Sequence, residues 1–292
     1  MVSDGRYIAA TRCLLQDYEP YCELESEVVL IDVEEMRFDA LDLSTWTTNW
    51  TLSSAVAWSP ARSQLLLLVR ESPTTEPVEF TRARSYYLTY SPEEDVFQEL
   101  KIDGVVLEWS SSAVVIDWGR STSELLIERV DLDQIMAGWI SLADGQFQAE
   151  TSIPEIIAYE AKTFSAVSGL VLSGDSQFTS MCQEILSYRI ASGGAFSTAI
   201  PLACFPAFSQ DGGRLAYVAK ANTEARPTRL MIANADGSNP TPLFSQDLPK
   251  IITYPTWSPD GSQIAFTYGA EAGANAVYVV EVPEDLRPAG LP

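Results

Sequence analysis

Four cysteines and a scatter of neighbouring carboxylates are the residues whose types and spacing could do chemistry in this chain. No histidine occurs among its 292 residues. A Ser-His-Asp triad, a Cys-His dyad and His-ligated zinc, copper or iron therefore cannot be built from it alone. It contains no G-x-S-x-G elbow, no P-loop and no G-x-G-x-x-G. Acid–base work would fall to carboxylates, and the close pairs are Glu34-Glu35, Glu93-Glu94-Asp95, Asp131/Asp133 and Glu284-Asp285. These stand in turn-like contexts, where carboxylates are normally solvated. Asp117 is different, because it stands directly before Trp118 at the end of an apolar run.

Cys13, Cys22, Cys182 and Cys204 allow three connectivities and form no C-x-x-C, which argues against a zinc ribbon or a thioredoxin-like site. Paired in loops, they would fit an oxidising compartment. Buried free thiols acting as small hydrophobes are the competing reading.

Acidic residues outnumber basic ones 40 to 18, for a net charge of −22. Residues 1–150 hold 27 acids and 10 bases, and residues 151–292 hold 13 and 8. Such a surface repels phosphate backbones and anionic headgroups, so a nucleic-acid partner is not expected. Solubility through self-repulsion is the plain meaning of the charge, and a calcium- or other cation-binding face is the sharper one. The longest apolar run, Leu65 to Val69, is far below the ~18 residues that span a bilayer, so no direct membrane insertion is expected.

The elements that must position these groups emerge from an internal repeat. Trp257-Ser258-Pro259-Asp260-Gly261-Ser262-Gln263-Ile264-Ala265-Phe266 is matched by Phe208-Ser209-Gln210-Asp211-Gly212-Gly213-Arg214-Leu215-Ala216-Tyr217. Shorter copies begin at Trp58-Ser59-Pro60, Trp118-Gly119 and Phe164-Ser165, and Val2-Ser3-Asp4-Gly5-Arg6-Tyr7-Ile8-Ala9 opens at the turn. The second residues of these phrases fall at 3, 59, 119, 165, 209 and 258, a spacing typical of four-stranded propeller blades. Residues before the aromatic form an inner strand. The polar Asp-Gly stretch makes a tight turn, and the aliphatic run after it is a second strand buried on both faces. Third strands are read at Val28–Ile31, Tyr86–Thr89, Ile185–Tyr188, Leu230–Ile232 and Val277–Val280, and outer strands at Gln146–Thr151 and Pro242–Phe244.

The expected fold is all-β: a six-bladed β-propeller of four-stranded antiparallel blades. It forms one domain over 1–292, with blades near 1–52, 53–106, 107–155, 156–200, 201–249 and 250–292. Asp117 then lies on a strand facing the central channel, as a candidate ligand or cation residue or a hydrogen-bonded core carboxylate. Cys13 and Cys22 share one hairpin, and Cys182 and Cys204 leave adjacent blades on one face, so these are the favoured pairs. Asp4, Asp211 and Asp260 read as turn-formers. Asp236-Gly237-Ser238-Asn239 lacks the alternating oxygen ligands and closing Glu of a calcium loop.

The decapeptide Trp257–Phe266 and Asn234-Ala235-Asp236-Gly237-Ser238-Asn239-Pro240 resemble the repeats of TolB-type propellers. The match is sharp in the last two repeats, fair in the first two and faint between them. The resemblance implies a propeller and says little about function, because the family holds periplasmic scaffolds, propellers that gate serine peptidases and free-standing binding modules. The chain departs from TolB proper in lacking the α/β domain that precedes the propeller there, so a role in outer-membrane assembly is not carried over.

The leading expectation is a non-enzymatic binding or scaffold propeller outside the cytoplasm, holding a protein or glycan. Its contacts would come from the long loops Leu14–Glu27, Glu71–Arg82 and Lys220–Thr228, with Tyr18, Tyr21, Pro73, Pro77 and Phe80 as rigid and aromatic contact residues. The alternatives are a carboxylate-based carbohydrate hydrolase or lyase, and a permanent subunit of an envelope or cell-surface assembly. The first repeat opens at its turn, the last ends after a third strand, and Met1–Arg6 has no apolar h-region. These features lead to the expectation that the chain is part of a longer product.

Overall fold

The computed structural model describes residues 6–13, 26–45, 50–59, 64–71, 85–102, 105–106, 108–109, 113–118, 121, 123–131, 134–153, 161–165, 169–174, 182, 184–189, 200–220, 227–245, 251–258, 260–269 and 276–289. The chain divides into two compact units, 1–131 with 138–148, and 132–137 with 149–292. Each is a series of antiparallel sheets in which, with one exception in the first unit, strands pair with their neighbours in sequence, the outcome that short apolar runs and tight turns dictate.

The first unit opens with β1 (Tyr7–Cys13), β2 (Ser26–Asp32) and β3 (Arg37–Ala40), paired in that order. Next come β4 (Trp50–Trp58), β5 (Leu65–Glu71), β6 (Ser85–Ser91) and β7 (Val96–Glu99). A two-stranded ribbon, β8 (Lys101–Ile102) with β9 (Val105–Val106), leads to β10 (Glu108–Trp109). β7 and β10 both pair with β6, β7 from Leu88 to Ser91 and β10 at Ser85 and Tyr86, so two short strands do the work of one outer strand. The core here gathers Val28, Leu65, Leu67, Val69, Leu88 and Phe97 on one side of the second sheet and Leu66, Tyr87, Trp118 and Leu125 on the other. β5 is buried on both faces, which explains why Leu65-Leu66-Leu67-Leu68-Val69 does not alternate.

A four-stranded sheet runs β11 (Ala113–Trp118), β12 (Glu124–Asp131), β13 (Gln134–Ser141), β14 (Phe147–Ile153). The division between the units falls within β13 and β14. The second unit continues with β15 (Ala161–Ser165), β16 (Leu170–Gly174), β17 (Glu184–Arg189) and β18 (Ile200–Pro201), then β19 (Ala203–Phe208), β20 (Arg214–Lys220), β21 (Pro227–Asn234) and β22 (Thr241–Ser245). The last sheet is β23 (Ile251–Trp257), β24 (Gln263–Gly269) and β25 (Ala276–Glu281). Its core joins Cys182, Cys204, Phe205, Leu230, Ile232, Ile252, Trp257 and Phe266.

The fold is an all-β propeller, but the expected six four-stranded blades are corrected: it is five-bladed. Among the described residues an inner strand carrying the aromatic residue at or near its end occurs five times, in β4 (Trp58), β11 (Trp118), β15 (Phe164), β19 (Phe208) and β23 (Trp257). The sheet β1-β2-β3 starts at the position of a second strand, and no inner strand precedes it among the described residues. The Ser-Asp-Gly turn chemistry is local, so it recurs in the sequence whether or not such a strand comes before it. Strand number also varies, from three in the first and last sheets to five in the second.

Candidate functional site

Two repeats fold their turns with the same hydrogen bonds. Ser209 Oγ donates to Asp211 Oδ1 at 2.6 Å, and Asp211 Oδ1 also accepts the Gly213 N–H. The Arg214 N–H donates to Ser209 Oγ at 2.9 Å. Forty-nine positions on, Ser258 donates to Asp260 at 2.7 Å, Asp260 accepts the Ser262 N–H and hydroxyl, and the Gln263 N–H donates to Ser258. Ser59 keeps part of the device, accepting the Gln64 N–H at 3.2 Å. The hydroxyl is buried in all three, so this polar group is spent inside the turn. Asp236 likewise accepts the Ser238 N–H, and Ser238 Oγ accepts from the Asn234 amide. These carboxylates shape turns. Asp4 lies outside the described residues.

Of the paired carboxylates, Glu35 and Asp95 are engaged by neighbouring side chains, as is Asp32, which the sequence did not single out. Asp32 is buried at 2 % exposure and takes two hydrogen bonds from the Arg6 guanidinium, at 2.8 and 3.0 Å, plus the Glu34 and Glu35 N–H groups. The bonds from Arg6 first, and those backbone donors, hold the Asp32 carboxyl below its ordinary value against the opposing effect of burial. Glu35 pairs with Arg37 at 3.0 Å and Arg6 at 3.6 Å. Asp95 accepts the Tyr90 hydroxyl at 2.8 Å, and burial together with this neighbour pushes the Tyr90 phenol up. Glu284 and Asp285 open a short helical turn, while Asp131 ends β12 and Asp133 lies outside the described residues.

Asp117 sits on β11, half-buried, just past a register shift between Val115 and Asp117. A bulge at this point re-aims the side chain that follows it. Its carboxylate accepts the Trp118 N–H at 2.7 Å. The Tyr87 hydroxyl accepts the Val115 N–H at 3.2 Å, and burial lifts the Tyr87 phenol to about 12. Among the described residues no group of three or more His, Cys, Asp or Glu side chains could hold a metal ion.

Cys182 and Cys204 form a disulfide within the second unit, at a Cα–Cα distance of 5.1 Å. Cys13 ends β1, and Cys22 lies outside the described residues, as do Tyr18, Tyr21, Pro73, Pro77 and Phe80. No helix among the described residues is long and apolar enough to cross a membrane.

Three features lie beyond the sequence reading. Phe205 and Tyr254 hold left-handed backbone, at φ 51° and 53°, each within a register shift of its inner strand, and their rings sit 4.7 Å apart. Glu128 on β12 and Lys220 at the end of β20 are buried charged residues. The only hint for them was a charge set against an apolar run, Leu125-Leu126-Ile127-Glu128 and Leu215-Ala216-Tyr217-Val218-Ala219-Lys220.

No family model matches the chain. Over 78 residues, 25% of its length, it is 41% identical to the Tol-Pal system protein TolB of Coxiella burnetii. Over 147 residues, 46% of its length, it is 32% identical to that of Hamiltonella defensa. These matches span 17% and 29% of the two relatives' own length. Among solved structures, an oligogalacturonate lyase from Vibrio parahaemolyticus is similar over 98% of this chain and 77% of its own, with a TM-score of 0.55 and 14% identity. TolB from Acinetobacter baumannii is similar over 88% of this chain and 60% of its own, with a TM-score of 0.53 and 10% identity. At such identities the structures speak for fold alone. The chain is thus a β-propeller that resembles TolB in fold and, over part of its length, in sequence.

Proposed function

We propose that this chain is a non-enzymatic binding or scaffold propeller, a single domain working outside the cytoplasm and holding a protein partner through the loops between second and third strands. The observation that carries this reading is the use made of its acidic side chains. In a chain without histidine, Asp211, Asp260 and Asp32 are taken up by turns and an ion pair rather than held apart for acid–base work. The Cys182–Cys204 disulfide supports an oxidising compartment. The two curated relatives are named for the Tol-Pal system, and the part of them matched here is too small to carry that role over.

The second reading, a carboxylate-based hydrolase or lyase acting on carbohydrate, takes its support from the likeness in fold to an oligogalacturonate lyase and from Asp117 beside its bulge. A permanent place in an envelope or cell-surface assembly differs from the first reading only in the lifetime of the contact. Pull-down from native envelope extract tests the proposal, comparing the intact chain with one whose Glu71–Arg82 loop is replaced by Gly-Ser. A partner kept by the first and lost by the second is expected. No partner on either, together with glycan cleavage that Asp117→Asn abolishes, would hand the case to the enzyme.

A further inference from the structure

Phe205 and Tyr254 each stand three residues before the aromatic that ends their inner strand, and each is followed by proline. In β19 the pairing steps from Cys204↔Val218 to Ala207↔Ala216, so Phe205 and Pro206 together face Tyr217. In β23 it steps from Thr253↔Thr267 to Thr256↔Ala265, so Tyr254 and Pro255 together face Phe266. These are bulges of one form, a device that re-aims a side chain. β4 and β11 shift register at the same place, after Ala55 and Val115, yet neither residue has positive φ. The left-handed backbone thus belongs to the two aromatic-proline pairs.

A bulky residue at positive φ costs backbone free energy. For Phe205 burial offsets that cost, since it is 4 % exposed within the apolar cluster of the second unit. Tyr254 is 60 % exposed and has no such offset. Its conformation instead lays its ring 4.7 Å from that of Phe205, tilted by 56°, so a buried ring fixes an exposed one. Desolvation by the surrounding protein still raises the Tyr254 phenol above its ordinary value, so the ring stands in a recess and not on a projection. Strain of this kind gathers at ligand-contacting positions.

The neighbouring strands set the chemistry of the ligand. None of the residues of Ile251–Trp257, Gln263–Gly269 or Ala203–Phe208 is charged, although the chain carries 40 acidic and 18 basic residues. An ionic ligand would find no counter-charge on these strands, and desolvating it there would be costly. Tyr254 offers a flat apolar face ending in a hydroxyl, and Thr253 and Thr256 flank the Tyr254-Pro255 pair. That combination matches a ring with apolar CH faces and hydroxyl edges.

We propose that Tyr254 is a stacking platform for a neutral sugar ring, held in place by Phe205. The CH face of the sugar lies on the tyrosine ring, and the phenol hydrogen-bonds a sugar hydroxyl. The site binds without cleaving, and it depends neither on the loops of the proposed function nor on Asp117.

Saturation-transfer NMR with cellotetraose tests this, with trigalacturonate as the anionic control and indole as the purely apolar one. Transfer is expected to the CH protons of cellotetraose. Tyr254→Phe should keep it, and Tyr254→Ala should weaken binding about tenfold or more, the scale of losing an aromatic anchor. A circular-dichroism melt matching the wild type shows that the alanine variant folds. If that variant unfolds, the wild-type proton map decides: transfer concentrated on the CH protons of one ring face upholds the platform, and transfer spread evenly over the sugar overturns it. Absence of transfer at about 10 mM cellotetraose, where even weak binding registers, also overturns the proposal. So do transfer that a folded Tyr254→Ala leaves unchanged, equal binding by trigalacturonate, and binding by indole alone, which would make the recess a general apolar site.

Discussion

The Trp257 indole N–H donates to the Ala207 carbonyl at 3.1 Å, tying β23 to β19 across 50 residues of sequence. Trp257 is 3 % exposed within the largest apolar cluster of the second unit. Trp257→Ala should destabilise by about 3–5 kcal/mol, the range for deleting a large aromatic from a core. Trp257→Phe keeps most of the burial but leaves the carbonyl unpaired, and should cost about 1–3 kcal/mol. Urea unfolding followed by far-UV circular dichroism reads both. A loss below about 1 kcal/mol for the alanine variant would mean the indole is not a core group.

Gly261 adopts φ +69°, and a Cβ there would meet Pro288 Cγ at 2.1 Å. Gly261→Ala should therefore destabilise by about 1–3 kcal/mol through strained backbone and displacement of the C-terminal segment. Gly213 occupies the next turn position of the preceding repeat without positive φ, and its nearest contact is an Asp211 carboxylate oxygen at 3.1 Å. Gly213→Ala should cost distinctly less. Equal losses in the same urea titration would show that the Pro288 contact does not matter.

The Cys182–Cys204 bridge closes a separation of 22 residues. Its removal, by reductant or by Cys182→Ser with Cys204→Ser, should cost about 3 kcal/mol, as expected for a loop of that size. Peptide mapping without reduction should recover the linked pair from natively isolated protein. Free thiols at both positions would also remove the strongest support for an oxidising compartment.

Asp32 contributes a pH dependence whose direction follows from its partners. Its folded-state value lies below the ordinary 3.8, so its contribution is complete above that pH and is lost as pH falls through the lower folded value. Melting temperatures measured from pH 6 to pH 2 should show the wild type converging on Asp32→Asn below about pH 4, with the gap widest near neutrality. A gap that persists unchanged in acid would mean the Arg6–Asp32 pair is not what separates them.

Much of the fold was legible because its cues are local. Phe208-Ser209-Gln210-Asp211-Gly212 and Trp257-Ser258-Pro259-Asp260-Gly261 announce a strand end and a turn, and the strands on either side lie where the aliphatic runs are. The candidate site was much less legible. Asp117 was found from its place before Trp118, but the register shift that aims it, and the Trp118 N–H it accepts, depend on how β11 lies on β12. Phe205 and Tyr254 hold backbone that residue type does not betray, since only glycine and asparagine advertise left-handed φ.

The sequence by itself determined what chemistry is excluded, through the missing histidine, and that the chain repeats a β-unit, through turn residues whose preferences act over a few positions. Only the tertiary structure decided how many blades have an inner strand among the described residues, and which of the three cysteine connectivities holds Cys182 and Cys204. Those are questions of which distant segments meet. The answers rest on burial and pairing between residues tens of positions apart, which no local residue preference encodes.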